Sequence, residues 1–160
     1  MKVKLCLSRA SGYNGVKRFK RLVFGESIRM EYDKLTTGQL ISDRVVSLDA
    51  DRVALYVEAV DHEGFLLADD GGRLVPGMAV AAFALSGAIN DLNIPGGTVH
   101  LSQEIKFQSA VEEGTRLDCK AFVSKNSVRN NWRILVVDIQ AMTVEGTSIM
   151  EAKSTIMLPV

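Results

Sequence analysis

From Leu74 to Asn90 the chain runs for seventeen residues without a charge, between Arg73 and Asp91. At 1.5 Å per residue a helix over that stretch is about 25 Å long, at the lower limit for a bilayer span. Its residue types argue against a membrane. Gly77, Ala79, Ala81, Ala82, Ala84, Ser86, Gly87 and Ala88 keep it thin on nearly every side, which suits a helix that sheet strands approach closely inside a soluble fold. Pro76 fits a first helical turn, and Asn93-Ile-Pro-Gly-Gly97 ends the segment. The rest of the chain therefore has to supply the cover.

Beyond Gly97 the chain reads as β structure. Val99, Leu101, Ile105 and Phe107 alternate with His100, Ser102, Glu104 and Lys106, a period of two with one wet face. The pattern returns in Leu117, Cys119, Ala121 and Val123, and again in Leu135, Val137, Ile139 and Ala141. Glu145-Gly146-Thr147 forms a hairpin turn into Ser148 to Leu158. Upstream, Ile41 to Ser47 is a short strand. Arg52 to Val60 is an amphipathic helix with Val53, Tyr56, Val57 and Val60 on one face, behind capping side chains in Leu48-Asp-Ala-Asp51. Asp69-Asp-Gly-Gly72 marks a turn. Three or four long antiparallel strands after one buried helix predict an α+β hotdog fold, an antiparallel sheet curled around a long central helix. One sheet on one helix buries little for about 130 residues, so a homodimer or higher homo-oligomer is expected.

Composition sets the limits. The 160 residues are 47% hydrophobic with only three Pro, which excludes disorder over most of the length. Cys6, Cys119, His62 and His100 lie far apart, with neither a disulfide framework nor metal-ligand spacing, so no metal site is expected. The zero net charge is a cancellation: residues 1–30 carry +7 and the remaining residues −7. The division predicts a basic N-terminal extension, 1–30, and a folded domain, 31–160. Within the extension, Lys17-Arg18-Phe19-Lys20-Arg21 invites a nucleic-acid or targeting reading. Thirty residues are too few for a helix-turn-helix module, and no signal-peptide core precedes a cleavage pattern. A mobile, solvated extension without a nucleic-acid role, on a cytoplasmic protein without a membrane partner, is the expectation.

Residues 31–159 resemble the MaoC-like branch of the hotdog superfamily, the (R)-specific enoyl-CoA hydratases and related acyl-thioester dehydratases. The resemblance is carried by four segments. Tyr32-Asp-Lys-Leu-Thr-Thr-Gly-Gln-Leu40 is similar to the family's opening strand, and Val75-Pro-Gly-Met-Ala79 stands where its central helix starts. Glu104-Ile-Lys-Phe-Gln-Ser-Ala-Val-Glu-Glu-Gly-Thr-Arg-Leu117 and Glu145-Gly-Thr-Ser-Ile-Met-Glu-Ala152 look like its strand-turn-strand segment and its last hairpin. The resemblance implies an acyl-CoA or acyl carrier thioester as ligand and no cofactor beyond it.

Activity in that family depends on an Asp and, five residues on, a His. Together they activate water and deliver a proton to an enoyl thioester whose oxygen a helix N-terminus holds. Here Asp61 takes the Asp position, but the position five residues later is Leu66, and the family's His-Gly-Met becomes Pro76-Gly77-Met78. The loop between Asp61 and the helix is also short, which removes room for the segment that covers the acyl group. The expectation is a thioester-binding subunit with an eroded catalytic motif, holding its ligand at Pro76, Gly77 and Met78. Trp132 with Arg133 is a candidate for stacking an adenine and holding phosphates, against a structural strand-edge role for the tryptophan. The alternative is an active hydratase or dehydratase using Asp61 and His62. A thioesterase is disfavoured because the central helix has no acid before Asp91.

Overall fold

The structure, a computed structural model, describes residues 32–61 and 66–160. The expected basic extension, 1–30, with its boundary to the domain, and the candidate His62 lie outside the described residues. A 3₁₀ turn, Tyr32–Lys34, leads to β1 (Leu40–Ser47) and α1 (Ala50–Ala59). The central helix α2 spans Gly77–Leu92, followed by β2 (Val99–Phe107), β3 (Arg116–Arg129), β4 (Trp132–Thr143) and β5 (Ser148–Pro159). All strand pairs are antiparallel, in the order β1-β3-β4-β5-β2. No helix of the described residues is long and apolar enough to cross a membrane.

The core forms where the two periodicities meet. Leu117, Cys119, Ala121 and Val123 of β3 and Leu135, Val137, Ile139 and Ala141 of β4 are buried, as the alternation predicts. They face Ala79, Val80, Ala84, Ala88 and Leu92 of α2. Small side chains on the helix let the sheet come close, so the larger residues of the strands fill the space between them. Full burial of side chains the size of Leu117 and Leu135 stabilises the fold by about 1.5–3 kcal/mol each. Asn93, in the left-handed conformation (φ 48°), ends the helix.

Four local expectations are corrected. The capping side chain Asp49 makes no bond to the α1 amides and accepts instead from the Ser47 hydroxyl at 2.6 Å. Leu74 and Val75 stay out of the helix, because Leu74 bridges Glu112 and the Val75 amide donates to the Val111 carbonyl, and Pro76 is the N-cap. Tyr32 to Lys34 forms a turn, not the start of a strand. Finally, α2 is not covered all round. Met78, Ala82, Ser86 and Ile89 form an exposed stripe along it, the i, i+4, i+8 and i+11 positions of one helical face.

At its far end α2 is tied to β1. Asp91 lies in the last helical turn, where the helix dipole disfavours a carboxylate. It accepts from the Ser42 hydroxyl at 2.6 Å and from Arg44 Nε at 2.8 Å, and Arg44 Nη2 completes a bidentate pair. Gly87 lets the Arg44 chain pass, since a Cβ there would stand 3.1 Å from Arg44 Cδ. The Arg44 guanidinium, then the Ser42 hydroxyl, pull the Asp91 carboxyl down from 3.8 to about 2. A pKa lowered on folding contributes stability above the ordinary value, and that contribution is lost as pH falls through the folded one. Asp91→Asn should therefore flatten the decline in stability between pH 3.8 and about 2. Denaturant unfolding at stepped pH checks this, and an equally steep decline in the variant contradicts it.

Candidate functional site

The N-terminus of α2 opens into a cleft of about 410 Å³. Four strips of chain build it: Leu66 and Leu74 to Pro76 before the helix, Gly77 and Val80 in its first turn, Phe107 to Val111 from the end of β2 onward, and Ile149 of β5. The turn at Asp69 to Gly72 folds the first strip back on itself, with the Leu74 amide donating to the Leu66 carbonyl at 2.8 Å. Phe107 presses on the helix start, where a Cβ on Gly77 would lie 3.1 Å from its ring.

Two properties decide what this cleft can do. Pro76, as N-cap, offers no side-chain acceptor, and the first protein-bonded amide of the helix is that of Ala79, which donates to the Pro76 carbonyl at 2.8 Å. The Gly77 and Met78 amides thus make no hydrogen bond with the described residues. A Ser or Asp cap would engage such amides; here they remain as donors at the positive end of a 16-residue helix. The second property is chemical. Among the described residues, no Asp, Glu, His, Lys or Arg lines the cleft; its polar side chains are Gln108 and Ser109. The Ser148 hydroxyl holds Gln108 through its amide oxygen at 2.8 Å, leaving the Gln108 nitrogen as a further donor.

The sequence candidates fall in three places. Pro76 and Gly77 line the cleft, and Met78 stands beside them, exposed on the helix. Asp61 follows the end of α1 in the left-handed conformation (φ 50°) and is exposed. α1 is held on α2 by Tyr56 edge-on to Phe83, 6.0 Å between centroids, and by the Arg52 guanidinium 4.3 Å above the same ring. Asp61 is not among the described residues of the cleft wall, whereas Leu66, at the position of the expected histidine, is one of them.

Trp132 and Arg133 occupy the third place, at the other end of β4 from the cleft. Phe107, at the cleft, is paired through Met150 to Ala141, while Trp132 begins β4 nine residues earlier. A strand rise of about 3.4 Å per residue puts roughly 30 Å between those two ends of β4. Asn130 and Asn131, both at positive φ, make the tight hairpin that precedes Trp132. Arg133 is 6% exposed. Its guanidinium donates to Asn126 Oδ1 at 2.8 Å, to the Tyr32 carbonyl at 3.4 Å, and to the Asp33 carboxylate. It pins the 3₁₀ turn to the sheet and presents no donor fork to a phosphate. Cys119 is equally withdrawn: burial, and then the neighbouring Asp118 carboxylate, push its thiol up to about 11.

Comparison with known structures brings the frame and the cleft together. The chain superposes on the unliganded (R)-hydratase PhaJ1 of Pseudomonas aeruginosa with a TM-score of 0.68 and 18% identity, over 80% of this chain and 84% of that one. It has the hotdog fold of the MaoC-like dehydratases and (R)-hydratases. The monoamine oxidase regulatory protein from Archaeoglobus fulgius gives a TM-score of 0.70 at 12% identity, covering 81% of this chain and 94% of that chain. The truncated HadBC complex of Mycobacterium tuberculosis, a 3R-hydroxyacyl-ACP dehydratase, gives 0.63 at 16% identity over 81% and 99%. No family model and no curated protein matches the sequence. In this hotdog chain the helix start is open, and the wall where the resemblance places a histidine carries Leu66.

His100 departs from its sequence pattern. The alternation puts it on the wet face of β2, but the pairing with β5 shifts register between His100 and Ser102. That bulge puts His100 on the face it shares with Ile156, and its Nε2 stands 3.1 Å from the Ser154 hydroxyl on the buried face of β5 while the residue stays exposed. The only signal in the sequence is the buried serine itself, the polar member of the Ala152, Ser154, Ile156, Leu158 series.

Proposed function

We propose that this chain is an acyl-thioester-binding hotdog protein of the MaoC-like dehydratase type that holds its ligand without the family's Asp/His chemistry. The observation that carries the reading is the cleft at the start of α2, with the unbonded Gly77 amide in its wall, that of Met78 next along the helix, and no titratable side chain among its described residues. Unpaired helix N-terminal amides polarise a thioester oxygen whether or not a side chain is there to move a proton. Hydration needs a positioned acid or base within hydrogen-bond reach of the substrate. The apolar wall of Leu66, Leu74, Val80 and Ile149 suits an acyl chain. No cofactor is required in this reading, and the ligand is an acyl-CoA or an acyl carrier thioester.

Calorimetric titration with crotonyl-CoA and with free CoA tests the reading. Crotonyl-CoA is expected to bind at least about tenfold more tightly than CoA, the effect of one charge-assisted or fully buried contact. Equal affinity for the two removes the acyl group and the helix start from recognition and sinks the proposal.

A second copy is the proposed partner. Strand β2 lies at the sheet edge with every residue exposed or half-buried, and α2 leaves its Met78, Ala82, Ser86 and Ile89 stripe open next to it. An uncapped edge beside an apolar face is a surface that pairing with a like chain removes. The HadBC neighbour is itself a complex. Sedimentation equilibrium should give twice the chain mass, and Val99→Lys with Leu101→Lys should give the monomer. A monomeric parent chain contradicts the assembly.

A further inference from the structure

At the opposite end of α2 from the Gly77 cleft lies a second cavity, of about 390 Å³. Small-molecule sites occupy roughly 300–1,000 Å³. One wall is Leu85, Ala88, Ile89 and Leu92 of the helix, the other Val137 and Ile156 of the sheet. No Asp, Glu, Lys or Arg lines it among the described residues. Into this apolar space the bulge of β2 delivers one polar pair: Ser154, 4% exposed, and His100, exposed at the surface, joined at 3.1 Å.

A serine–histidine contact first suggests a nucleophile, and the surroundings do not support it. Such a dyad needs a third group to orient the imidazole, and Ser154 is the hydrogen-bond partner of His100 among the described residues. The pair instead presents hydrogen bonds. When Nε2–H donates to Ser154, the serine hydroxyl hydrogen is left to donate elsewhere. A hydroxyl and an imidazole therefore meet at one end of an otherwise apolar cavity.

We propose that this cavity binds a monocarboxylic acid with a short to medium alkyl chain. The carboxylate accepts from the Ser154 hydroxyl, which His100 Nε2 orients, and the chain lies along Leu85, Ile89 and Ile156. No acidic side chain on the described walls opposes an anionic head. Gly77 lies about 20 Å along α2 from the Ile89 and Leu92 end of this cavity at 1.5 Å per residue, and the inference does not depend on thioester binding.

Calorimetric titration of the full chain with octanoate, and with 1-octanol as the neutral control, tests it. Octanoate should bind with one site per chain, about tenfold more tightly than octanol, as expected for hydrogen bonds to a charged group. His100→Ala and Ser154→Ala should each erase that preference, Leu85→Trp should abolish binding of both compounds, and Gly77→Val should change neither. Circular dichroism melts confirm that the variants are folded. Absence of octanoate binding overturns the proposal, as does binding that survives Leu85→Trp, or loss of it in Gly77→Val, which moves the acid to the other cleft. Equal affinity for octanol and octanoate overturns the assignment of a carboxylate.

Discussion

Replacing Gly77 by valine is expected to weaken binding of crotonyl-CoA by tenfold or more while leaving the fold in place. A Cβ at this position already stands 3.1 Å from two atoms of the Phe107 ring. The two further methyl groups of valine add bulk at a residue that lines the cleft beside Pro76 and Phe107. Phe107 is 44% exposed, so it yields outward and the core is spared. The loss falls on the ligand, whose carbonyl must come within about 3 Å of the Gly77 and Met78 amides to be held. Titration with crotonyl-CoA beside a thermal melt checks this. An affinity unchanged in a folded variant would place the thioester elsewhere.

Arg133→Leu is the second large effect, and it is one of stability. The guanidinium satisfies Asn126 Oδ1, and Asn126 in turn donates to the Tyr32 and Leu35 carbonyls at 2.7 and 3.0 Å. Leucine leaves the Asn126 acceptor and the Tyr32 carbonyl short of donors in a part-buried site. An orphaned buried acceptor costs about 1–3 kcal/mol. Asp33 is 87% exposed in its side chain and returns to water, so the larger penalty for stranding a buried charge does not apply. A loss of about 2–3 kcal/mol lowers Tm by roughly 4–12 °C in a chain of this size. Crotonyl-CoA affinity should stay at the parent value, which separates this structural arginine from a phosphate-binding one. A variant as stable as the parent but with lower CoA affinity would reverse the assignment.

Arg133 also shows where the sequence misleads. A charged residue beside Trp132 and a pair of asparagines resembles a surface patch. The partners that bury it, Asp33 and Asn126, lie far away in sequence and cannot be paired with it before the fold is known. His100 fails for a different reason. Period-two alternation assigns faces by parity, and a single bulge reverses parity for every residue before it. No residue type in Val99 to Ser102 marks that insertion.

The features legible in the sequence are those fixed by local composition. The uncharged run at Leu74 to Asn90 is a long central helix, and the alternating Leu117 and Leu135 segments are buried strands, because each pattern is dictated by one face meeting the core. Pro76-Gly77 identifies the helix start as an open donor site, since neither residue can cap it with a side-chain oxygen. Leu66 is legible as a missing histidine only through the family pattern, and the structure adds that it stands in the cleft wall. The uncovered stripe on α2 is not legible, because an apolar helix is the same in sequence whether its own sheet or a second copy covers it.

Binding of an acyl thioester without turnover is the property on which the proposed function stands. It is tested by following the enoyl absorbance of crotonyl-CoA in the presence of protein, at a concentration that calorimetry shows to be saturating. Saturable binding is expected, with no loss of absorbance above the uncatalysed rate. Hydration that proceeds with the parent chain and disappears in Asp61→Asn would contradict it, and would show that Asp61 still does acid-base work in spite of Leu66.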